Sequence, residues 1–244
     1  MVVSPRQDLV HTMTSLRVYT LLLFYLIGAS SLFFPSLRLF RKHSLESCDA
    51  YLSTKQSSTF NHAHPGYSCR MDISLDDRCD SPDASYRVNN KRVVIGKGRD
   101  AYRKASKIVL NMEMLNALRW GSIARPLNAQ GLPTQNALQK GDIFGTLILC
   151  YRILWTLNPC RVVSVVNTSN LAQIGFSTLH GHLLSGDERF CVLYNDETEE
   201  VSFDMFSFSK GCGILGALSM PMIRPIQKHF FKEMVKSMNE LMAT

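Results

Sequence analysis

The chain has 244 residues, 45% apolar and 19% charged, an ordinary globular composition that excludes a chain too polar to bury a core. That length suits one large domain with appendages. The formal net charge is +7, and Arg87, Lys91, Arg92, Lys97, Arg99, Arg103, Lys104 and Lys107 against Asp100 account for all of it, so the remainder is close to neutral.

In chain order, the first feature is an uncharged run from Val18 to Leu37. It is long enough for a helix to cross a hydrocarbon layer of roughly 30 Å. Its strongly apolar part, Val18 to Ile27, is followed by Gly28, Ala29, Ser30 and Ser31, small residues of the kind a signal peptidase accepts. Residues 1–43 therefore read as a targeting segment, either a cleaved signal peptide or an anchor, with a buried core helix as the third reading. The first two place the protein at a membrane or in the secretory pathway. In the anchor reading, Arg38, Arg41 and Lys42 outweigh Arg6 and Arg17 and keep the main domain on the cytosolic side.

Residues 44–59 read as a linker, and the wider stretch to Ser85 shows no sustained period of 2 or 3.6. Within it, Phe60-Asn61-His62-Ala63-His64-Pro65-Gly66 places two histidines two apart. That spacing suits a metal, but a Pro-Gly turn with exposed imidazoles is the preferred account. The seven cysteines contain no C-x-x-C pair, which points to reduced thiols rather than a disulfide framework.

Arg92 to Ile95 is a short β-branched run closed by Gly96-Lys97-Gly98, which lacks the remaining residues of a phosphate loop. From Arg99 to Leu118, Tyr102, Ala105, Val109, Met112 and Asn116 recur at helical steps, with Ile108 and Leu115 beside them. Arg99, Arg103 and Lys107 form a separate stripe at steps of four. The stripe is either a solvated face or a contact for acidic partners such as an anionic membrane surface. Nucleic acid is not expected, because neither an aromatic-interleaved basic strand nor zinc-finger spacing accompanies it.

After Trp120 a loop leads to Gly141-Asp142, and the chain then reads as five strands: Ile143 to Tyr151, Arg161 to Thr168, Ala172 to His180, Glu188 to Tyr194 and Glu200 to Ser209. Connections this short make the sheet antiparallel. Ser185-Gly186-Asp187 is read as a tight hairpin turn, with Thr178, His180 and His182 on one face of the preceding arm. In the last strand Val201, Phe203 and Met205 share one face, and Ser202, Asp204, Phe206 and Phe208 the other. A terminal helix is expected from Pro225, with Ile226, Phe230, Met234, Met238 and Leu241 inward and Lys228, Lys232 and Lys236 outward.

Several spaced motifs resemble a family of bacterial and plant proteins, domain of unknown function 1990. They are Gly175-Phe176-Ser177-Thr178-Leu179-His180-Gly181-His182, Ser185-Gly186-Asp187-Glu188-Arg189-Phe190, Ser207-Phe208-Ser209-Lys210 and Gln227-Lys228-His229-Phe230, preceded in order by Phe60 to Gly66 and Val93 to Tyr102. The resemblance runs from about Phe60 to Met242, and residues 60–242 are read as one domain. Gly211-Cys212 departs from the Pro and small residue that usually follow the S-F-S-K/R signature, and the apolar leader is not part of the pattern. The resemblance implies an α+β helix-grip fold, similar to pollen-allergen and steroid-transfer domains, in which a curved antiparallel sheet wraps a long C-terminal helix. It implies no particular reaction. A plant branch described as a plastid outer-envelope channel protein implies membrane association for some relatives.

The function expected is non-enzymatic binding of a hydrophobic small molecule or lipid, in an apolar cavity formed by Thr178, His180, His182, Phe203, Met205, Phe206, Phe208, Phe230 and Met234. One alternative is a membrane-associated channel or interaction protein of an organelle envelope. Another is a metal-dependent enzyme using His180 and His182 with Asp187 and Glu188 nearby, for which the sequence shows neither a third ligand placed by a second element nor a hydrogen-bond acceptor behind each ring. Ser177 and Ser209 have no G-x-S-x-G setting, and no catalytic residue, cofactor or bound metal is expected.

Overall fold

The structure is a computed structural model that describes residues 35–70, 81–128, 131 and 137–244. Apart from residues 35–37, the apolar run Val18 to Leu37 lies outside the described residues. Among those that are described, no helix is long and apolar enough to cross a membrane.

The frame is a curled antiparallel sheet. Its strands are β1 (Leu37–Leu39), β2 (Arg87–Lys97), β3 (Gly121–Leu127), β4 (Ile143–Cys150), β5 (Leu154–Asn167), β6 (Leu171–Thr178), β7 (Leu184–Tyr194) and β8 (Glu200–Gly211). Their order is β2-β8-β7-β6-β5-β4-β3, with β1 pairing on β5 beside this path. Irregularities in register between Val94 and Gly96 and between Val162 and Ser164 fit a sheet that curls, because an extra residue on one strand sharpens its local twist.

The helix α4 (Gly213–Ala243) lies on the concave face, with α2 (Arg99–Leu110) and the short α3 (Glu113–Asn116) beside it. Together they bury Phe144, Val162, Ile174, Phe176, Phe190, Phe203, Met205, Phe231, Met234 and Met238 in the main core. The convex face is covered as well. Here α1 (Leu45–Ser53) sets Cys48, Tyr51 and Leu52 against Leu147, Leu157 and Leu179, so the stretch read as a linker is a packed helix, capped at its start by the Ser44 hydroxyl. Residues 60–70, ending in a single helical turn at Tyr67–Cys69, form a strap over β6, β7 and β8. A Cβ on Gly175 would sit 1.9 Å from the Cys69 sulfur, so the strap approaches a strand position that only glycine leaves open.

Four further segments differ from expectation. Ser185, Gly186 and Asp187 lie within β7, and the β6–β7 connection is residues 179–183, where Gly181 takes a φ of 103° that favours glycine. The helix read as Arg99 to Leu118 breaks at Met112, whose φ is 51°, and resumes as α3. The terminal helix starts at Gly213, twelve positions before Pro225, and runs through Pro221 and Pro225. These prolines leave the carbonyls four residues earlier without their helical donors, a cost that packing on β8 and β2 offsets. Strand β5 begins at Leu154, because Pro159 is accommodated inside it opposite Gly145.

Candidate functional site

Between α4 and one end of the concave face lies a cavity of about 150 Å³. Its floor comes from alternate residues of four adjacent strands: Thr146 and Ile148, Asn158 and Cys160, Phe176 and Thr178, and Glu188. Its roof comes from Ile223, Ile226, Phe230 and Phe231 on one face of α4, and Trp120 and His182 close its sides.

Cross-strand register places Glu188 between Phe176 and Ser207. No described residue hydrogen-bonds its carboxyl, and burial raises its pKa to about 8. His182 is held in the opposite sense: burial lowers its pKa to about 3, and its Nδ1 accepts a hydrogen bond from the Leu184 N–H at 2.9 Å, so the ring is neutral. Asn158 donates through Nδ2 to the Thr146 carbonyl at 3.2 Å and the Thr156 hydroxyl at 2.8 Å, which leaves its carbonyl oxygen without a donor. The Cys160 thiol is fully buried and raised by burial first and by Glu188 second, which places it close to that carboxyl. The cavity is thus an apolar chamber with one unpaired carboxyl and a free amide oxygen.

Directly behind this floor, on the convex side, the strap covers a buried polar network. Asp187 faces away from the cavity, within 3.1 Å of His62 Nε2, with both side chains fully buried. It accepts from the Ser177 hydroxyl and from the Ser68 N–H at 3.4 Å. His62 Nδ1 accepts from the His64 N–H at 3.2 Å, so its remaining proton is on the nitrogen facing Asp187. Next to it Arg189 donates to the Ser68 carbonyl at 3.0 Å and to Asp204 at 3.1 Å, and Arg92 donates to the second oxygen of Asp204 at 3.2 Å. Asn61 donates to the Leu184 carbonyl at 2.8 Å and accepts from Thr178, which ties the strap to both strands at the edge of the cavity.

A family model described as domain of unknown function (DUF1990) matches residues 72–237. The chain belongs to the DUF1990 family. A UPF0548 protein of Arabidopsis thaliana is 27% identical over 185 residues, covering 72% of this chain and 83% of that one. A UPF0548 protein of Deinococcus radiodurans is 26% identical over 195 residues, covering 77% and 92%. Among solved structures, Ara h 8.0201 is similar with a TM-score of 0.42 and 6% identity, over 65% of this chain and 99% of that one. In this DUF1990 domain, the motif Phe60 to Gly66 precedes the matched residues and supplies the strap.

Of the nine positions expected to form a cavity, Thr178, His182 and Phe230 line it. Phe208 borders it, with its ring in the convex cluster of Tyr86 and Phe206. Phe203, Met205 and Met234 are packed solid in the adjoining core, and Phe206 lies on the convex face because β8 alternates. His180 does not share a face with His182. The positive φ of Gly181 breaks the alternation between them and leaves His180 exposed in the turn. The strap histidine His62 is not an exposed imidazole, as it is paired beneath the strap. Among the described residues, no group of three His, Cys, Asp or Glu side chains is placed to hold a metal.

Sequence reasoning set Asp187 and Glu188 together beside the histidine pair and missed that they face opposite sides of the sheet, as it missed Asn158 and the Asn61–His62–Asp187 network. The signal available was Asp187-Glu188-Arg189, three charges in succession inside a strand, whose period of 2 sends Glu188 to one face and its neighbours to the other.

The basic stripe is also placed. Arg99 donates to the Ser169 carbonyl at 2.6 Å, pairs with Asp196 and lies 3.8 Å over the Tyr194 ring, while Arg103 pairs with Asp100. Arg99 therefore braces two loops against the start of α2. Arg99→Gln is expected to cost about 1 kcal/mol in urea unfolding, since the group is half exposed, and Arg103→Gln close to nothing. Equal midpoints for the two variants would refute the bracing role.

Proposed function

We propose that this DUF1990 domain is a non-enzymatic binder of a small, mainly apolar molecule held between α4 and the concave face of the sheet. The observation that supports it is the cavity itself: aromatic and aliphatic walls with a few polar groups at set positions, the usual make-up of a ligand site. At about 150 Å³ it is smaller than the roughly 300–1,000 Å³ of sites for drug-sized ligands, and comparable to a cavity that holds one benzene molecule. The volume favours a single-ring compound over a lipid.

The test is thermal denaturation of the full chain with toluene or benzyl alcohol. At ten times Kd the midpoint is expected to rise by about 3–5 °C, because binding to the folded state alone contributes about 1.4 kcal/mol. Ile226→Trp, which fills the chamber, should abolish the response. No shift with either compound, or an equal shift in the filled variant, would remove the reading.

Attachment to an anionic membrane surface through Arg99, Arg103 and Lys107 is a weaker proposal, since Arg99 and Arg103 already have acidic partners within the domain. Localisation to a membrane, the secretory pathway or an organelle envelope is proposed on the sequence alone, from the apolar run Val18 to Leu37 and the family resemblance.

A further inference from the structure

The cavity has one feature that a purely apolar ligand would not use. Glu188 sits on its floor with no hydrogen-bonding partner among the described residues, as is true of the Asn158 side-chain oxygen and the Trp120 indole N–H, whereas Thr178, Ser207, Ser209 and Gln227 are engaged. Thr178 is bonded to Asn61 and to both backbone groups of Gly186, at 2.9 Å for the N–H and 3.1 Å for the carbonyl. Ser209 accepts from Gln227 at 2.9 Å, and Gln227 in turn accepts from Arg224 at 3.0 Å. Ser207 accepts from Asn89 at 3.4 Å. Glu188 is half-buried, and a carboxyl facing a largely apolar chamber without a protein partner is costly, so its persistence there calls for a partner that arrives with the ligand.

We propose, on the reading that this cavity binds a small molecule, that its ligand is a primary amine with a single-ring apolar body, the ammonium group seated on the Glu188 carboxylate. The ring packs among Phe176, Phe230, Phe231 and Trp120, where a cation also gains from the aromatic faces. A metal ion is a poorer occupant because no further carboxylate, imidazole or thiolate set converges there. A guanidinium, with five donors in a fixed plane, would leave most of them unmet in an apolar chamber.

The pairing also sets a pH dependence. Of the titratable groups around the chamber, the Cys160 thiol lies near Glu188 and is raised and protonated; His182 at its side is neutral, Arg224 on the roof helix is engaged by Gln227 and the Ser209 carbonyl, and Asp187 projects to the other face. Burial holds Glu188 protonated up to about pH 8. An alkylamine remains charged to about pH 10. Binding of the ammonium below pH 8 therefore expels one proton from Glu188, and affinity should rise nearly tenfold per pH unit from 6 to 8 and then level off.

The experiment compares benzylamine with benzyl alcohol by calorimetric titration of the full chain, wild type and Glu188→Gln, at pH 6 and pH 8.5. The expected result is benzylamine binding at least tenfold tighter than benzyl alcohol in the wild type at pH 8.5, with the preference lost at pH 6 and in Glu188→Gln while benzyl alcohol binds all forms alike. Benzyl alcohol matching or exceeding benzylamine at pH 8.5 would overturn the amine inference and leave the cavity reading standing. An amine preference that survives Glu188→Gln would place the amine elsewhere and overturn it too. Binding of neither compound would remove the cavity reading and this inference with it.

Discussion

Arg189→Met is expected to lower the unfolding free energy by about 3–5 kcal/mol, the range for breaking a buried ion pair from one side. Arg189 is 2% exposed and Asp204 is 1% exposed, so neither charge has water as an alternative partner. Removing the guanidinium leaves Asp204 with Arg92, whose side chain is about a third exposed and competes for the carboxylate less effectively. It also strips the Ser68 carbonyl of its donor and so loosens the strap from β7. Urea unfolding of the single and double variants separates these effects. Arg189→Met with Asp204→Leu should recover more than half of the loss, because the orphaned charge is then gone and Arg92 can turn to solvent. A single-variant loss below 1 kcal/mol would show that the pair holds nothing together.

The two faces of β7 thus do different work. Asp187 and Arg189 fasten the strap on the convex side, through Ser68 and His62, while Glu188 between them looks into the cavity with no fastening role. Because the strap also holds Thr178 and the Leu184 carbonyl through Asn61, the floor of the cavity is fixed from behind. The histidine-rich motif is a structural clasp whose far side is the floor of the cavity.

What the sequence made legible follows from period and punctuation. The strands β4, β6 and β8 and the inward stripe of α4 were readable because apolar residues recur there at 2 or 3.6 and glycine or asparagine bounds them. The turn between β6 and β7 was misplaced because Ser185-Gly186-Asp187 has the chemistry of a turn, while the glycine with positive φ is Gly181. Helix α1 was missed because nine residues are too few for a period to show, and Tyr51 and Leu52 are buried by tertiary contact alone. Pro225 was read as a helix start since proline suits a first turn, and nothing local indicates that the helix passes through Pro221 as well. The site was least legible, because Asn158, Glu188 and Trp120 are far apart in sequence and only the curl of the sheet brings them to one chamber.

Glu188→Gln is expected to stabilise the protein at alkaline pH and to change little in acid. In the folded state burial raises the Glu188 pKa to about 8, against 4.5 for an ordinary glutamate, so the folded protein keeps a proton that the unfolded chain releases. The sign follows from proton linkage: where the folded state binds more protons than the unfolded one, stability falls as pH rises. The penalty is absent below pH 4.5, grows between 4.5 and about 8, and is complete above 8. A fully sealed carboxyl would lose close to 5 kcal/mol over that span at 1.36 kcal/mol per pH unit, and the partial exposure of Glu188 lowers this to about 2 kcal/mol. Gln has the same shape and no charge, so the variant should unfold about 4–8 °C higher than the wild type at pH 8.5 and within about 1 °C of it at pH 4.5. His182 acts oppositely: with its pKa near 3, the folded state resists the proton that the unfolded chain takes up below 6.5, and acid destabilises both proteins alike. The difference between the two melting curves therefore isolates Glu188. A gap that does not widen from pH 4.5 to 8.5 would mean that the carboxyl is ionised and solvated, and that the chamber floor carries no buried acid.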